Sequence, residues 1–294
     1  MPELPEVETV VRGLQAVLPG REILSVRLGK TDFIDNPVLL AERLPGRHIA
    51  GVSRYGKYIS IELARGAAAA NPDAPNFLAI HLGMTGRITT GSPAEPVRPH
   101  THVFLALDDG NELRYTDIRR FGKIRLAAQS WMDALRARWG EDALEIGAAE
   151  FARQIGSRGA RIKALLLDQK AIRGIGNIYA DESLWRARIH PARRADHLSA
   201  TQLRALHRAI QATLLAAIRL RGSSFSDYVD SEGKPGAFQR MHRVYQKEGM
   251  ACRRCGHAIR RIQVAGRSSF FCPRCQPAPR VRKKIHARKK HFRK

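Results

Sequence analysis

Four cysteines stand in the pattern Cys252-x2-Cys255, sixteen residues, Cys272-x2-Cys275. Each C-x-x-C pair supplies two thiolates from one turn, and four thiolates close a tetrahedron around zinc with no open position for a substrate. The spacing therefore predicts one structural zinc ion, with "GHAIRRIQVAGRSSFF" between the pairs long enough for a β-hairpin. His257 is an alternative ligand, but the cysteines already complete the set. Zinc binding contributes about 10–16 kcal/mol in comparable peptides, enough to fold a module too small for a core of its own.

The other end of the chain raises a different chemistry. "MPELPEVETV" places Pro2 directly behind the start methionine, with Glu3 and Glu6 close by. On one reading the prolines only begin a helix, where proline is well tolerated, and Glu6 favours the helix dipole. On the other, loss of Met1 exposes a secondary amine that reacts. Further along, "RYTDIRRFG" sets Arg119, Arg120 and Phe121 directly after a strand. Phe121 is then either ordinary core or an aromatic tip able to wedge between base steps. Lys57 sits in a tight turn, "RYGKY", and could be no more than a solvated lysine.

"RGIGNIY" is not a dinucleotide fingerprint: only Gly174-x-Gly176 is present, no third glycine follows, and the preceding segment is helical. It reads instead as a tight turn between two helices, the second beginning near Asn177. Free backbone N–H groups and the dipole at that helix start suit a phosphate. Asn177 could add a hydrogen bond to it or simply cap the helix.

The elements that must hold these residues follow from periodicity. Val7, Val10, Val11, Leu14 and Leu18 recur at helical spacing until Pro19-Gly20. Strands follow, alternating through Leu24, Val26 and Leu28, then through Ile59, Ile61 and Leu63. "HVFLALDDGNELRY" reads as a hairpin with Val103, Leu105 and Leu107 on one face. An alanine-rich loop, "ARGAAAANPDAPN", interrupts the strands. After Ser130 the chain turns helical, with capping-box spacing at Ser130/Asp133 and Ser199/Gln202. A helix after Ser199 aligns Leu203, Leu206, Ile210, Leu214 and Ala217. The expected divisions are a β-rich unit over 1–128, a linker over 129–148, a helical unit over 149–236, the cysteine module over 237–277 and a basic tail over 278–294, expected to be disordered.

Composition limits the partners. In 294 residues, 51 Lys+Arg against 27 Asp+Glu leave a net charge of +24. That excess points to a polyanion, and nucleic acid fits better than a membrane surface because no basic amphipathic helix with an aromatic face stands out. No leader or membrane-spanning run is legible, so a cytoplasmic monomer is the expectation.

Taken together, "PELPEVETV", "GKY", "HLGMTG", "DIRRFG", "GIGNIYADE", "SEGKPG" and the four-cysteine finger, in this order over residues 2 to about 276, resemble the formamidopyrimidine-DNA glycosylase family. The resemblance implies a multidomain α+β fold: an N-terminal helix with an antiparallel β-sandwich, a helix–two-turn–helix domain and a zinc finger on a β-hairpin. It also implies a bifunctional enzyme that excises 8-oxoguanine and formamidopyrimidines from double-stranded DNA and then nicks the abasic site. The alternatives are an endonuclease-VIII-like enzyme for oxidised pyrimidines and a zinc-containing DNA-binding protein without catalysis.

By the same resemblance Pro2 would attack C1′ of the damaged nucleotide. A terminal amine, with a pKa of about 7.7–8, is roughly a quarter neutral near pH 7.4, against about one part in a thousand for lysine. Because the amine is secondary, its iminium adduct has no N–H to lose and stays an electron sink for elimination. Glu3 would move protons, Glu6 would support it, and Lys57 would hold a phosphate and assist elimination. Met84, Arg119 and Phe121 would fill the space left by the everted nucleotide, with Arg119 on the orphaned cytosine. Asn177 and Arg267 would clamp phosphates, with His100, Lys163 and Tyr245 as further contacts. Ser226 stands where some relatives carry lysine in the loop that covers the lesion. The insertion near 66–75 and the tail have no assigned role, though each phosphate the tail neutralised would steepen the log–log salt dependence by about 0.9.

Overall fold

The computed structural model describes residues 2–64, 74–224 and 228–279. Met1, nearly all of the alanine-rich insertion, Ser226 and the tail from residue 280 lie outside the described residues.

Helix α1 (Leu4–Gln15) stops short of the expected Pro19-Gly20, so Leu18 reaches the core from the turn that follows, while the helix's own apolar stripe is buried as the spacing requires. The stripe serves two cores. Val7, Val10, Val11 and Leu14 pack into the core of the β-rich region, whereas Leu4 belongs to the core of the helical region. The residues just ahead of Leu4 are thereby held at the junction of the two.

The β-rich region contains β1 (Glu22–Leu28), α2 (Pro37–Arg43), β2 (Arg47–Tyr55), β3 (Tyr58–Leu63), β4 (Phe77–His81), β5 (Arg87–Gly91), β6 (Thr101–Leu107), β7 (Glu112–Thr116) and β8 (Lys123–Ala127). Among the described residues the strands pair antiparallel in the order β5-β7-β6-β1-β2-β3-β4-β8. Between β1 and β2 the pairing covers only Glu22 with His48 and Ile23 with Arg47. The two halves on either side of this short join share one apolar core, drawing Ile59 and Ile61 from one and Val103, Leu105 and Leu113 from the other. One predicted strand face is corrected here. A bulge between Ile23 and Ser25 puts Ile23 into the core and turns Leu24 outward, at 53% exposure, because an extra residue inverts the alternation.

Helices α3 (Gln129–Arg138), α4 (Ala148–Gly156), α5 (Ile162–Leu167), α6 (Asn177–Ala187) and α7 (Ala200–Arg219) follow. Ser199 and Gln202 form the expected capping box. Ser130 and Asp133 do not: the cap position is Ala128, two residues earlier, so Ser130 already lies inside α3, and no side chain caps the helix. The second core joins Phe151 and Ile155 of α4, Leu165 and Leu166 of α5, Tyr179 of α6 and Leu206 and Ile210 of α7. Strands β9 (Arg260–Val264) and β10 (Arg267–Phe271) form the terminal hairpin, whose two-residue turn, Ala265-Gly266, has both φ angles positive. Among the described residues no helix is long and apolar enough to cross a membrane.

Candidate active site and nucleic-acid interface

Pro2 and Glu3 are buried at the head of α1. The Glu3 carboxylate lies against the start of α6, where it accepts hydrogen bonds from the N–H of Gly176 (2.8 Å), Ile178 (2.9 Å) and Tyr179 (3.4 Å). The helix end expected to take a phosphate on its backbone is therefore occupied by a carboxylate of the same chain, which meets the same unpaired N–H groups and dipole. This contact accounts for the glycines of "RGIGNIY". A Cβ on Gly176 would lie 2.3 Å from the Glu3 carboxyl carbon. On Gly174, which has φ +102°, it would lie 2.4 Å from Leu4 Cδ1. The Gly174 carbonyl accepts the Leu4 N–H at 3.1 Å.

Glu6 is fully enclosed one turn later. It accepts from the Glu3 backbone N–H (2.8 Å), the Tyr179 hydroxyl (2.5 Å) and the Ser223 N–H (2.7 Å). Burial first, and the neighbouring Glu3 charge second, raise its pKa to about 7. Glu6 thus stands in the first turn of the helix and holds the backbone of Glu3 through its N–H.

Lys57 comes from the two-residue turn between β2 and β3, where Gly56 takes a positive φ. It is 6% exposed, which rules out a solvated lysine. Burial pushes its pKa down, while Glu3 and Glu6 pull it back up and Arg267 lowers it again. Arg54 shapes this turn, donating to the Gly56 carbonyl (3.1 Å) while bridging Glu8 of α1 (2.8 Å) and Asp142 beyond α3 (2.7 Å). No spacing signal marks Arg54 or Asp142, since their partners are remote in the chain.

Met84 and Phe121 project from neighbouring loops at 42% and 52% exposure, so Phe121 is not core. The Arg119 guanidinium stacks 4.4 Å over the Phe121 ring. His81, held neutral because burial and Lys57 lower its pKa to about 4, accepts the Gly83 N–H at 3.1 Å and steadies the Met84 loop. His100 is exposed, with φ +66°, and its carbonyl accepts the Asp117 N–H (3.0 Å).

Asn177 opens α6 and its side chain bonds Tyr245, which itself packs edge-on against Phe270 of the hairpin. Arg267 is exposed at the hairpin turn and is felt electrostatically at Lys57. Lys163, also expected at a phosphate, is sealed from solvent. It is 0% exposed, paired with Asp181 at 2.7 Å and donating to the Ser268 carbonyl at 2.8 Å. Its charge fastens the hairpin to α5 and α6 and does not reach solvent, because Asp181 compensates it inside the protein. Glu182 and Gln276 also escape sequence patterns. Glu182 accepts the N–H groups of Arg243, Val244 and Tyr245, and Gln276 bridges the Cys272 N–H to the Ile189 carbonyl.

The four cysteine sulfurs lie within 4.8 Å of one another, with Cys255–Cys272 at 3.4 Å and Cys252–Cys275 at 4.0 Å. A zinc–sulfur bond of about 2.3 Å implies sulfur separations of about 3.8 Å in a tetrahedron, so the donors fit the ion. His257 points away, exposed, with Nδ1 near the Cys255 carbonyl.

Three family models match the chain: the formamidopyrimidine-DNA glycosylase N-terminal domain over residues 1–124, the formamidopyrimidine-DNA glycosylase H2TH domain over 140–229, and the zinc finger found in FPG and IleRS over 249–278. A curated relative, the formamidopyrimidine-DNA glycosylase of Desulforamulus reducens, is 41% identical over 285 residues, covering 95% of this chain and 100% of the relative. Among solved structures, the wild-type Lactococcus lactis Fpg bound to DNA containing N7-benzyl-Fapy-dG is similar at a TM-score of 0.84 and 34% identity, covering 94% of this chain and 100% of that one. The same wild-type protein bound to DNA containing an oxidised pyrimidine gives 0.83 and 34%, with the same coverage.

Proposed function

From the premise that this chain belongs to the formamidopyrimidine-DNA glycosylase family, and so is a base-excision repair glycosylase with abasic-site lyase activity toward oxidised purines in duplex DNA, we propose that Pro2 is its nucleophile. The observation that carries this assignment is that Glu3, next to Pro2 at the head of α1, is held by the Gly176 N–H at the start of α6, while buried Lys57 of the β2–β3 turn feels the charges of Glu3 and of Arg267 on the hairpin. We assign this chemistry to 1–128, DNA clamping to 149–236 and 237–277, and the cell location to the cytoplasm, where chromosomal DNA is the substrate.

With Met1 removed, the Pro2 nitrogen lone pair attacks C1′ and the damaged base leaves with the glycosidic pair, taking a proton as it departs. The attacking nitrogen sheds its N–H proton, and its lone pair then expels the ring oxygen O4′, which takes a proton as the C1′–O4′ bond breaks, leaving an iminium at C1′ with a fixed positive charge. Loss of a C2′ proton then drives β-elimination of the 3′ phosphate, and a second deprotonation drives δ-elimination of the 5′ phosphate. Glu3, locked on three N–H donors, transfers protons beside C1′. Glu6 orients that backbone, and Lys57 holds the phosphate and stabilises its charge on departure. Asn177, Arg267 and His100 hold flanking phosphates, while Met84, Arg119 and Phe121 fill the vacated stack. Bound zinc supplies a structural crosslink to the finger.

Borohydride reduction tests the nucleophile directly. Protein lacking Met1 should form a covalent adduct with 8-oxoguanine duplex, and Pro2→Gly should lose most strand cleavage while still binding the lesion. Unchanged cleavage would refute the assignment. The relative bound to an oxidised pyrimidine supports a second substrate class, and faster cleavage of a matched thymine-glycol duplex would make that class the principal one.

A further inference from the structure

We infer that Asp117 is a positioning residue that locks the Met84 loop to the Arg119–Phe121 loop, so that three side chains enter the duplex as one rigid wedge. The inference rests on the void-filling role given to those three residues above.

Asp117 directly follows β7 and is 0% exposed. Its carboxylate is held by neutral donors from both loops. Thr85, next to Met84, donates its hydroxyl to Oδ1. Tyr115 (3.1 Å) and the Gly122 N–H (2.9 Å) donate to Oδ2. The Thr85 oxygen in turn accepts the Arg119 N–H at 3.1 Å. An ionised carboxylate accepts all these bonds at once, which an amide, with a single acceptor oxygen, cannot do.

Gly83 of "HLGMTG" permits this join. A Cβ on Gly83 would lie 2.4 Å from the Phe121 carbonyl carbon. On Gly86 it would lie 2.3 Å from the Leu82 carbonyl oxygen of its own loop, and on Gly122 it would overlap the Tyr115 hydroxyl at 1.8 Å. The loops therefore touch backbone to backbone, with Met84 and Phe121 exposed at the edge of the contact. Evicting a base costs a few kcal/mol of stacking, and a wedge ordered in advance does not also lose conformational entropy on insertion.

The test uses full-length, zinc-loaded protein lacking Met1, on an 8-oxoguanine duplex and on the same duplex with a preformed abasic site, which has no base to unstack. Thr85→Val, which removes the hydroxyl at nearly constant shape, should lower 8-oxoguanine kcat/KM by about tenfold to a hundredfold. It should also abolish the fluorescence rise of a 2-aminopurine placed beside the lesion, yet change abasic-site cleavage by less than about threefold. Thr85→Ser should restore both signals. Equal losses on the two substrates, or no loss on either, would overturn the inference. Phe121→Ala separates the layers: if it leaves excision intact the wedge itself is wrong, and if it impairs excision while Thr85→Val does not, only the Asp117 lock is wrong.

Discussion

Glu3 and Glu6 are three residues apart and equally buried, but their environments differ in kind. Glu3 sits on three N–H donors at a helix start, whereas Glu6 is enclosed, with Glu3 as a charged neighbour. Glu6 ordinarily titrates near 4.5 and is raised to about 7 in the fold, so the folded protein holds a proton that the unfolded chain has released. Its stabilising contribution is complete below about 4.5 and is lost as pH rises through about 7. Denaturant midpoints should therefore fall for the natural protein across that window, and Glu6→Gln should flatten the fall. An identical slope in the variant would show that Glu6 is not the group responsible.

At the scale of elements, the contact between α1 and α6 is made by a side chain against a backbone, and glycine is what permits it. Gly176→Ala would set its methyl against the Glu3 carboxyl group, the movable end of a side chain, so the helix survives and the carboxylate shifts. We expect a folded variant whose excision rate falls by about a hundredfold, the scale of a lost acid–base group. Single-turnover rates on 8-oxoguanine duplex would check this; a normal rate would detach Glu3's position from catalysis. The β2–β3 turn obeys similar logic. The periodicity of "YISIEL" locates its strand, but the burial of Lys57 at the turn depends on Arg54 reaching Glu8 and Asp142, which no local pattern encodes.

For the molecule as a whole, the finger is fastened by few but buried links: Lys163 to Ser268, Asp181 to the Phe270 N–H, and Gln276 to Ile189. Metal loss should release the hairpin and Arg267 with it. Cys272→Ser, or stripping the zinc with a chelator, should weaken duplex binding and make the slope of log affinity against log salt shallower by about 0.9 for each phosphate the finger no longer holds. Titrations at several salt concentrations would measure it, and a variant that keeps both affinity and slope would show that the finger does not touch DNA. The net charge of +24 sets a general attraction to the DNA polyanion.

The sequence by itself determined the zinc ligands, the first helix, several strands, the helix after Ser199 and the family, because each is written in local spacing: cysteine pairs separated by two residues, helical and alternating apolar periods, and motifs in order. Only the tertiary structure decided that Glu3 rather than a phosphate occupies the α6 backbone, that Lys163 is sealed against Asp181, that Leu24 faces outward, and that Asp117 ties two loops together. Leu24 follows from a bulge set by the partner strand, and the others depend on which polar group pairs with a buried N–H or charge once water is excluded. That competition is between residues far apart in the chain, so spacing carries no record of who wins it.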